Sequence, residues 1–350
     1  MKNSCERRQR WGYMGNKIVR YVMGLFIALI CFSSCDHTKQ PSEIATNPKP
    51  QRSSLKLKEK PLFSSDSAYM FIEKQVQFGP RVPNTDAHVA CANWLEERLT
   101  SFGLATNVQN ASVQAYNGQN LEIFNIMGQY KPEAEKRILL CAHWDTRPYA
   151  DRDSENLRQP IDGANDGASG VGVLLEIARS ISNAKLEPNV GVDFVFFDGE
   201  DYGKPEGSMM GSSSNSWCLG SQYWAKKIPI EGYQAKYGIL LDMVGAGNAA
   251  FPKEGISMYF APQVVSHVWN IAGAMGHTNY FKPFKGNEIT DDHRYLNEYA
   301  KIPTIDIIHY EMGRNDFGTF HHTHEDNMSI ISKPTLQVVG DVVMQVIYNE

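Results

Sequence analysis

The chain has 350 residues, 42% hydrophobic and 21% charged, with 34 basic against 39 acidic side chains and a net charge of −5. That length is well above the size at which a hydrophobic core is hard to build, and it admits one large α/β domain or two small ones. The acidic balance excludes nucleic acid as a partner, because phosphate binding needs clustered cations.

The N-terminus departs from this ordinary soluble composition. YVMGLFIALICFSSC (21–35) follows Lys17 and Arg20, and its apolar run of about a dozen residues is too short to span a bilayer but suits the h-region of a signal peptide. FSSC places two small residues before Cys35 and resembles a bacterial lipoprotein processing site, with Phe32 where Leu is usual. Met14 is an alternative start, and the same segment left uncleaved would be a membrane anchor. Lipidation at Cys35 removes six of the 34 basic and one of the 39 acidic residues, leaving a net charge of −10. The expected location is the bacterial cell envelope, with the lipid as the only membrane contact. Beyond Cys35 stand Cys91, Cys141 and Cys218. Three cysteines without CxxC spacing exclude a disulfide framework and a cysteine-rich zinc site, while one bridge remains open in an oxidising envelope.

Residues 36–60 are polar, with three prolines and little to bury; they read as a disordered tether. From 61 to 350 the texture is that of one catalytic domain. SSDSAYMFIEKQVQF has a Ser/Asp cap ahead of helical apolar spacing, and DAHVACANWLEERLTSFG reads as a helix closed by Gly103. ATNVQNASVQAY and NLEIFNIMGQY alternate as two strands across a turn at Asn117 and Gly118. RILLCAH, VDFVFFD and YGILLDMVG are short apolar runs, the first two separated by the helix GASGVGVLLEIARSI. Strand, helix and strand with such crossovers predict an α/β fold. It is a single domain with a mostly parallel, twisted central sheet flanked by helices on both faces.

In such sheets ligands gather at the strand C-termini. Here each buried run finishes on groups that ligate metals. RILLCAH enters His143 and Asp145; GAND puts Asp166 ahead of the next helix; VDFVFFD opens onto Glu200 and Asp201; YGILLDMVG contains Asp242; and FHHTHED offers His321, His322 and His324. Taken singly, Asp166 reads equally as a helix N-cap and His143 as a core histidine. Nitrogen and carboxylate ligands without cysteine suit a zinc site with an open position, which means catalysis. Carboxylates at the end of an apolar strand also need a cation to offset their crowding.

HWD, GANDGASGVGVLLEIAR, FFDGED, LLDMVG and HTHEDN, in this order, resemble the zinc-dependent M28 aminopeptidase superfamily over roughly residues 65–350. FFDGE with a neighbouring acid, DMVGAGNAAFP and ITDDHRYLNEYAKIPTIDIIH are similar to animal-type glutaminyl-peptide cyclotransferases within it. The resemblance implies an aminopeptidase-like fold and one zinc ion on Asp166, Asp201 and His322. It further implies Glu200 as general acid/base, and Asp242 and Asp291 as a carboxylate pair sharing a proton. It places Phe317, Ile289 and His321 at the substrate pocket, with Trp217 as a further wall residue. Asp201 stands where Glu is common, His321 replaces an aromatic residue, and Val171 occupies the place of the half-cystine that would pair with Cys141.

The expected reaction is cyclisation of N-terminal glutamine on peptides or proteins to pyroglutamate, with release of ammonia. The rival is a two-zinc aminopeptidase using His143 and Asp242, with Asp145 nearby, around a second ion. A degenerate peptide-binding lipoprotein is a third reading, against which the free base Glu200 argues. Asp198 is expected to be structural.

Overall fold

The structure, a computed structural model, describes residues 55–205, 208–209 and 215–350. The leader, Cys35 and most of the polar 36–60 stretch lie outside the described residues. The last residues of that stretch are tied down: Asn349 and Gln345 side chains bond the carbonyls of Lys56 and Lys58, and Lys60 pairs with Asp341 at 2.7 Å. Ordered structure therefore begins ahead of Pro61.

Two helices open the domain, α1 (Ser65–Val76) and α2 (Asp86–Ser101). Ser64 and Thr85 cap them by accepting bonds from the N–H groups of Ser67 and His88, which satisfies donors the first turn leaves open. Gly103, at φ +83, ends α2. Strands β1 (Ala105–Gln114) and β2 (Asn120–Tyr130) form the expected hairpin, turning at Gly118 with φ +85. There follow β3 (Arg137–His143), α3 (Ala168–Asn183), β4 (Gly191–Phe197), α4 (Leu219–Lys226) and β5 (Gly238–Asp242). A small pair, β6 (Phe251–Lys253) and β7 (Phe281–Lys285), encloses α5 (Gly255–Phe260) and α6 (Pro262–Ala274). The chain closes with α7 (Asp292–Tyr295), β8 (Thr304–Ile308) and α8 (Lys333–Asn349).

The main sheet runs β1-β2-β4-β3-β5-β8. Strands β4, β3, β5 and β8 are parallel, and the hairpin adds an antiparallel edge. Period-two side chains divide the core between the two faces. Ile138, Leu140 and Ala142 of β3 face the cluster under α1, α3 and α8, whereas Leu139 and Cys141 face Trp224 and Leu296. Helix α3 is buried along nearly its whole length, so its apolar run is that of a core helix rather than an amphipathic one. Cys91, Cys141 and Cys218 are all free thiols. Among the described residues no helix is long and apolar enough to cross a membrane.

From β3 the chain moves to β4 on one side and later to β5 on the other. This reversal opens a crevice at the strand C-termini, as in other doubly wound sheets.

Several charged side chains are buried, and one of them lies within a central strand. Asp193, fully buried in β4, is gripped by the Arg137 guanidinium at 2.6 and 2.8 Å and accepts a further bond from Tyr233 at 2.7 Å. Removing Arg137 leaves that carboxylate with the neutral donors Tyr233 and Gln129 but without its counter-charge. Arg137→Ala is expected to cost about 3–5 kcal/mol, read as a lower urea midpoint at unchanged slope; a shift within error would mean that the pair carries no stability.

Candidate active site

The strand ends bring His143, Asp145, Asp166, Glu200, Asp201, Asp242 and the histidines of the 309–332 loop together, as their positions in the sequence led one to expect. Asp166 does not cap α3. The N-cap is Gly167, which makes no side-chain cap, and a β-carbon there would lie about 2.5 Å from the His143 ring. With that space reserved, the Asp166 carboxylate turns into the crevice and meets His143 Nε2 at 2.9 Å. Its backbone is held by Asp326, whose oxygens accept from the N–H groups of Asn165 (2.7 Å) and Asp166 (3.0 Å).

Glu200 and Asp201 follow β4 in a turn that Asp145 fixes, accepting their two N–H groups at 3.0 and 3.1 Å. Asp145 is thereby occupied with the backbone, although His143 Nδ1 lies 3.5 Å away. Asp198 is structural, as expected: its carboxylate accepts from His88 Nε2 and the Phe124 N–H, each at 2.7 Å.

The three histidines separate by their partners. His324 bonds Asp153 at 2.8 Å at the rim. His321 Nδ1 lies 2.7 Å from the Arg152 guanidinium, which can only donate, so the ring proton sits on Nε2, directed at Asp166 at 3.8 Å. His322, at φ +58, points Nε2 at Asp201 (3.3 Å) and Asp166 (3.9 Å). Burial and the nearby Arg147 hold its pKa down to about 3, so the ring is neutral with a lone pair to offer.

Both oxygens of Asp201 are buried without a hydrogen-bond donor. Burial first, then the charge of Asp166, pushes its carboxyl well above the usual range. A buried acceptor pair of this kind calls for a cation. Tetrahedral zinc with bonds of about 2.0–2.1 Å sets its ligands about 3.3 Å apart, close to the separations around His322 Nε2. The residues present fit zinc at Asp166, Asp201 and His322.

A second convergence joins His143, Asp166 and Asp242. His143 Nε2 is 3.2 Å from Asp242. Burial opposes its charge, yet Asp145, Asp166 and Asp242 together raise its pKa well above normal. Burial and then Asp166 bring the Asp242 carboxyl up to about 7.

The pairing of Asp242 with Asp291 differs from expectation. Asp242 turns to His143, whereas Asp291 faces Asp306 and His293. Asp306 lies on β8 beside Leu240, two residues ahead of Asp242 in the parallel register, and so reaches Asp291 first. Burial pushes both carboxyls up; the contact adds to the rise at Asp306 and offsets part of that at Asp291, although neither Asp306 oxygen closes a regular hydrogen bond.

These groups floor a cavity of about 230 Å³ whose walls include Trp217, Ile289, Met243, Ile308 and Phe317, with His321 at its edge. Ile289, Met243, Ile308 and Phe317 pack as one apolar cluster. Trp217 stacks on His322, centroids 5.8 Å apart at 8°, and the buried Arg147 guanidinium lies over the Trp217 ring at 4.6 Å. Arg147, its partner Asp151 (2.5 and 2.7 Å) and Asp326 are the functional neighbours that the sequence reading did not single out. Asp326 lies within HTHEDN and Arg147 two residues past HWD, so proximity to a ligand was the available signal.

Residues 125–347 match the family described as Peptidase family M28. The chain belongs to that family. The solved structure of a glutaminyl cyclase from Bacteroides thetaiotaomicron, bound to N-acetylhistamine, is 50% identical, with 83% of this chain and 100% of that one covered and a TM-score of 0.81. A Zn-dependent exopeptidase from Parabacteroides distasonis is 48% identical over the same shares, also with a TM-score of 0.81. The glutaminyl-peptide cyclotransferase of Boiga dendrophila is 23% identical over 288 residues, 75% of each chain.

Asp326 orients Asp166 without touching the crevice. Asp326→Ala is expected to weaken zinc binding by about 10–100-fold with the fold retained, measured by competition with a chromophoric chelator. Unchanged affinity would show that Asp166 needs no such support.

Proposed function

We propose that the protein is a zinc-dependent glutaminyl-peptide cyclotransferase, which converts the N-terminal glutamine of peptides or proteins to pyroglutamate and releases ammonia. One observation carries the reading. Glu200 and Asp291 converge to within 4.8 Å on a cavity of single-residue size that Asp166 and His322 also line, with Asp201 3.3 Å from His322 Nε2. Two carboxylates facing one another suit an amine. Likeness to a glutaminyl cyclase over that chain's full length supports the same assignment.

Zinc held by Asp166, Asp201 and His322 would supply Lewis-acid polarisation of the substrate γ-carbonyl. The apolar wall at Ile289 and Phe317 takes the glutamine methylenes and excludes water. Glu200 accepts a proton from the α-amine as its nitrogen bonds to the amide carbon. It returns that proton to the departing NH2 group, which leaves as ammonia while the C–N bond to it breaks. Burial and the neighbouring Asp291 and Asp201 hold the Glu200 carboxyl well above its ordinary value, suited to a group that both takes and gives. Asp291 and Asp242 hold the amine and the leaving group from the other side.

His143, Asp166 and Asp242 also form the donor set that a second metal would use, which keeps a two-zinc aminopeptidase as the rival. Gln-Xaa peptides separate the two. Cyclisation lowers the peptide mass by one ammonia, keeps the peptide bond, and leaves Leu-Xaa untouched. Release of free glutamine or leucine would install the aminopeptidase. In either chemistry Glu200→Gln is expected to keep its zinc and lose about 10²–10⁴-fold in kcat.

The same reading includes a lipid anchor at Cys35 and residence in the bacterial envelope, supported by the basic, apolar and FSSC segments of the leader. Cys35→Ser is expected to leave the membrane pellet as a precursor or soluble protein. Unchanged fractionation would make the apolar segment itself the anchor.

A further inference from the structure

The base Glu200 has one side-chain hydrogen-bond donor that the mechanism above leaves unused. Cys218 Sγ lies 3.0 Å from Glu200 Oε1. The two residues are joined through the backbone as well. The N–H of Cys218 donates to the carbonyl of Glu200, and that of Leu219 to the carbonyl of Gly199, both at 3.0 Å. One residue further on, a β-carbon at Gly220 would lie 2.1 Å from the Asp198 carbonyl. The entry to α4 is thus zipped against the turn that carries the base, with no room to slide.

Cys218 itself sits at φ 57, ψ 38, a left-handed conformation that glycine adopts more readily. A residue with a β-carbon kept in such a conformation points to a use for its side chain. The thiol is fully buried and in no disulfide. Burial, followed by the charges of Glu200, Asp292 and Asp291, pushes its pKa well above normal. A protonated thiol at this distance donates its S–H to the carboxylate oxygen. Asp291 closes the triangle, with one atom from each of Glu200, Cys218 and Asp291 lying within 4.8 Å of the others.

We propose that Cys218 is a positioning residue for the base: its S–H holds Glu200 Oε1, so that Oε2 alone faces the substrate and both takes and returns the proton. The proposal rests on the cyclase reading only in naming the two nitrogens between which that proton moves. A carboxylate free to rotate would spend part of its time with neither oxygen aimed at the amine, and small misplacements of a reacting group are costly.

The test compares Cys218→Ser, Cys218→Ala and Cys218→Val for kcat, KM, bound zinc and melting temperature. A positioning donor predicts that Ala and Val lower kcat about tenfold at near-constant KM and zinc, while Ser stays within about threefold of the parent. A residue that merely fills space predicts the opposite order. If only the volume matters, the hydroxyl gains nothing from Glu200, and Val, which unlike Ser is no smaller than Cys, is the better replacement in melting temperature and kcat alike. Parent-like kcat in the Val protein, or a Ser protein as slow as Ala, overturns the proposal. So does loss of zinc in the Ser protein, which would make the triangle a metal site. The order is read on whichever turnover the parent shows, ammonia release or residue release. Failure of the cyclase reading therefore appears in the parent protein, and failure of this proposal in the ranking of the variants.

Discussion

The structure is organised around a shortage of positive charge. The C-terminal ends of the parallel strands and the loops beside them deliver Asp166, Glu200, Asp242 and Asp291 to the lining of one crevice, with Asp145 and Asp201 buried behind them. Carboxylates this close in a poorly hydrated space cannot all ionise without compensation. The fold answers each in turn. Asp145 and Asp326 are consumed by backbone N–H groups. Burial pushes the Asp166 carboxyl up, but the His143 bond and the charges of His143, His321 and His322 together hold it below the ordinary carboxylate range. Asp242 and Asp291 are shifted upward by burial. Asp201, like Asp292 and Asp306, has no donor for either oxygen; it differs from them in facing the neutral His322 ring at 3.3 Å with Asp166 close by, the donor set a zinc ion takes.

From the same constraint comes the division of labour between adjacent residues. Asp145 pins the N–H groups of both Glu200 and Asp201, so their side chains diverge by backbone geometry. Asp201 is directed to His322 and the metal, Glu200 to Cys218 and the cavity. Burial first, and then the Arg147 guanidinium that packs on Trp217 beside it, keeps the His322 ring neutral. Charge balance, ligand geometry and base orientation are parts of one arrangement.

Much of this was legible in the chain because parallel strands buried on both faces are continuous apolar runs, and the residue after each run must lie at the crevice. RILLCAH and VDFVFFD carried that information for His143, Glu200 and Asp201. Neighbour choice at longer range was less visible. Asp306 sits in the middle of an apolar strand, and only the β5–β8 register shows that it, rather than Asp242, lies beside Asp291. The choice among His321, His322 and His324 likewise depended on Arg152 and Asp153, which come from a loop more than 160 positions earlier in the chain. Arg147 and Asp326 were hidden for a different reason: they act through residues already assigned, and their spacing carries no chemistry of its own.

The central claim is that one metal ion, at Asp166, Asp201 and His322, resolves the charge deficit, with His143 bridging Asp166 and Asp242 by hydrogen bonds. Anomalous scattering at the zinc edge from crystals of the purified protein tests this most directly. The account predicts a single peak among Asp166, Asp201 and His322. A second peak of comparable height between His143 and Asp242 would contradict it.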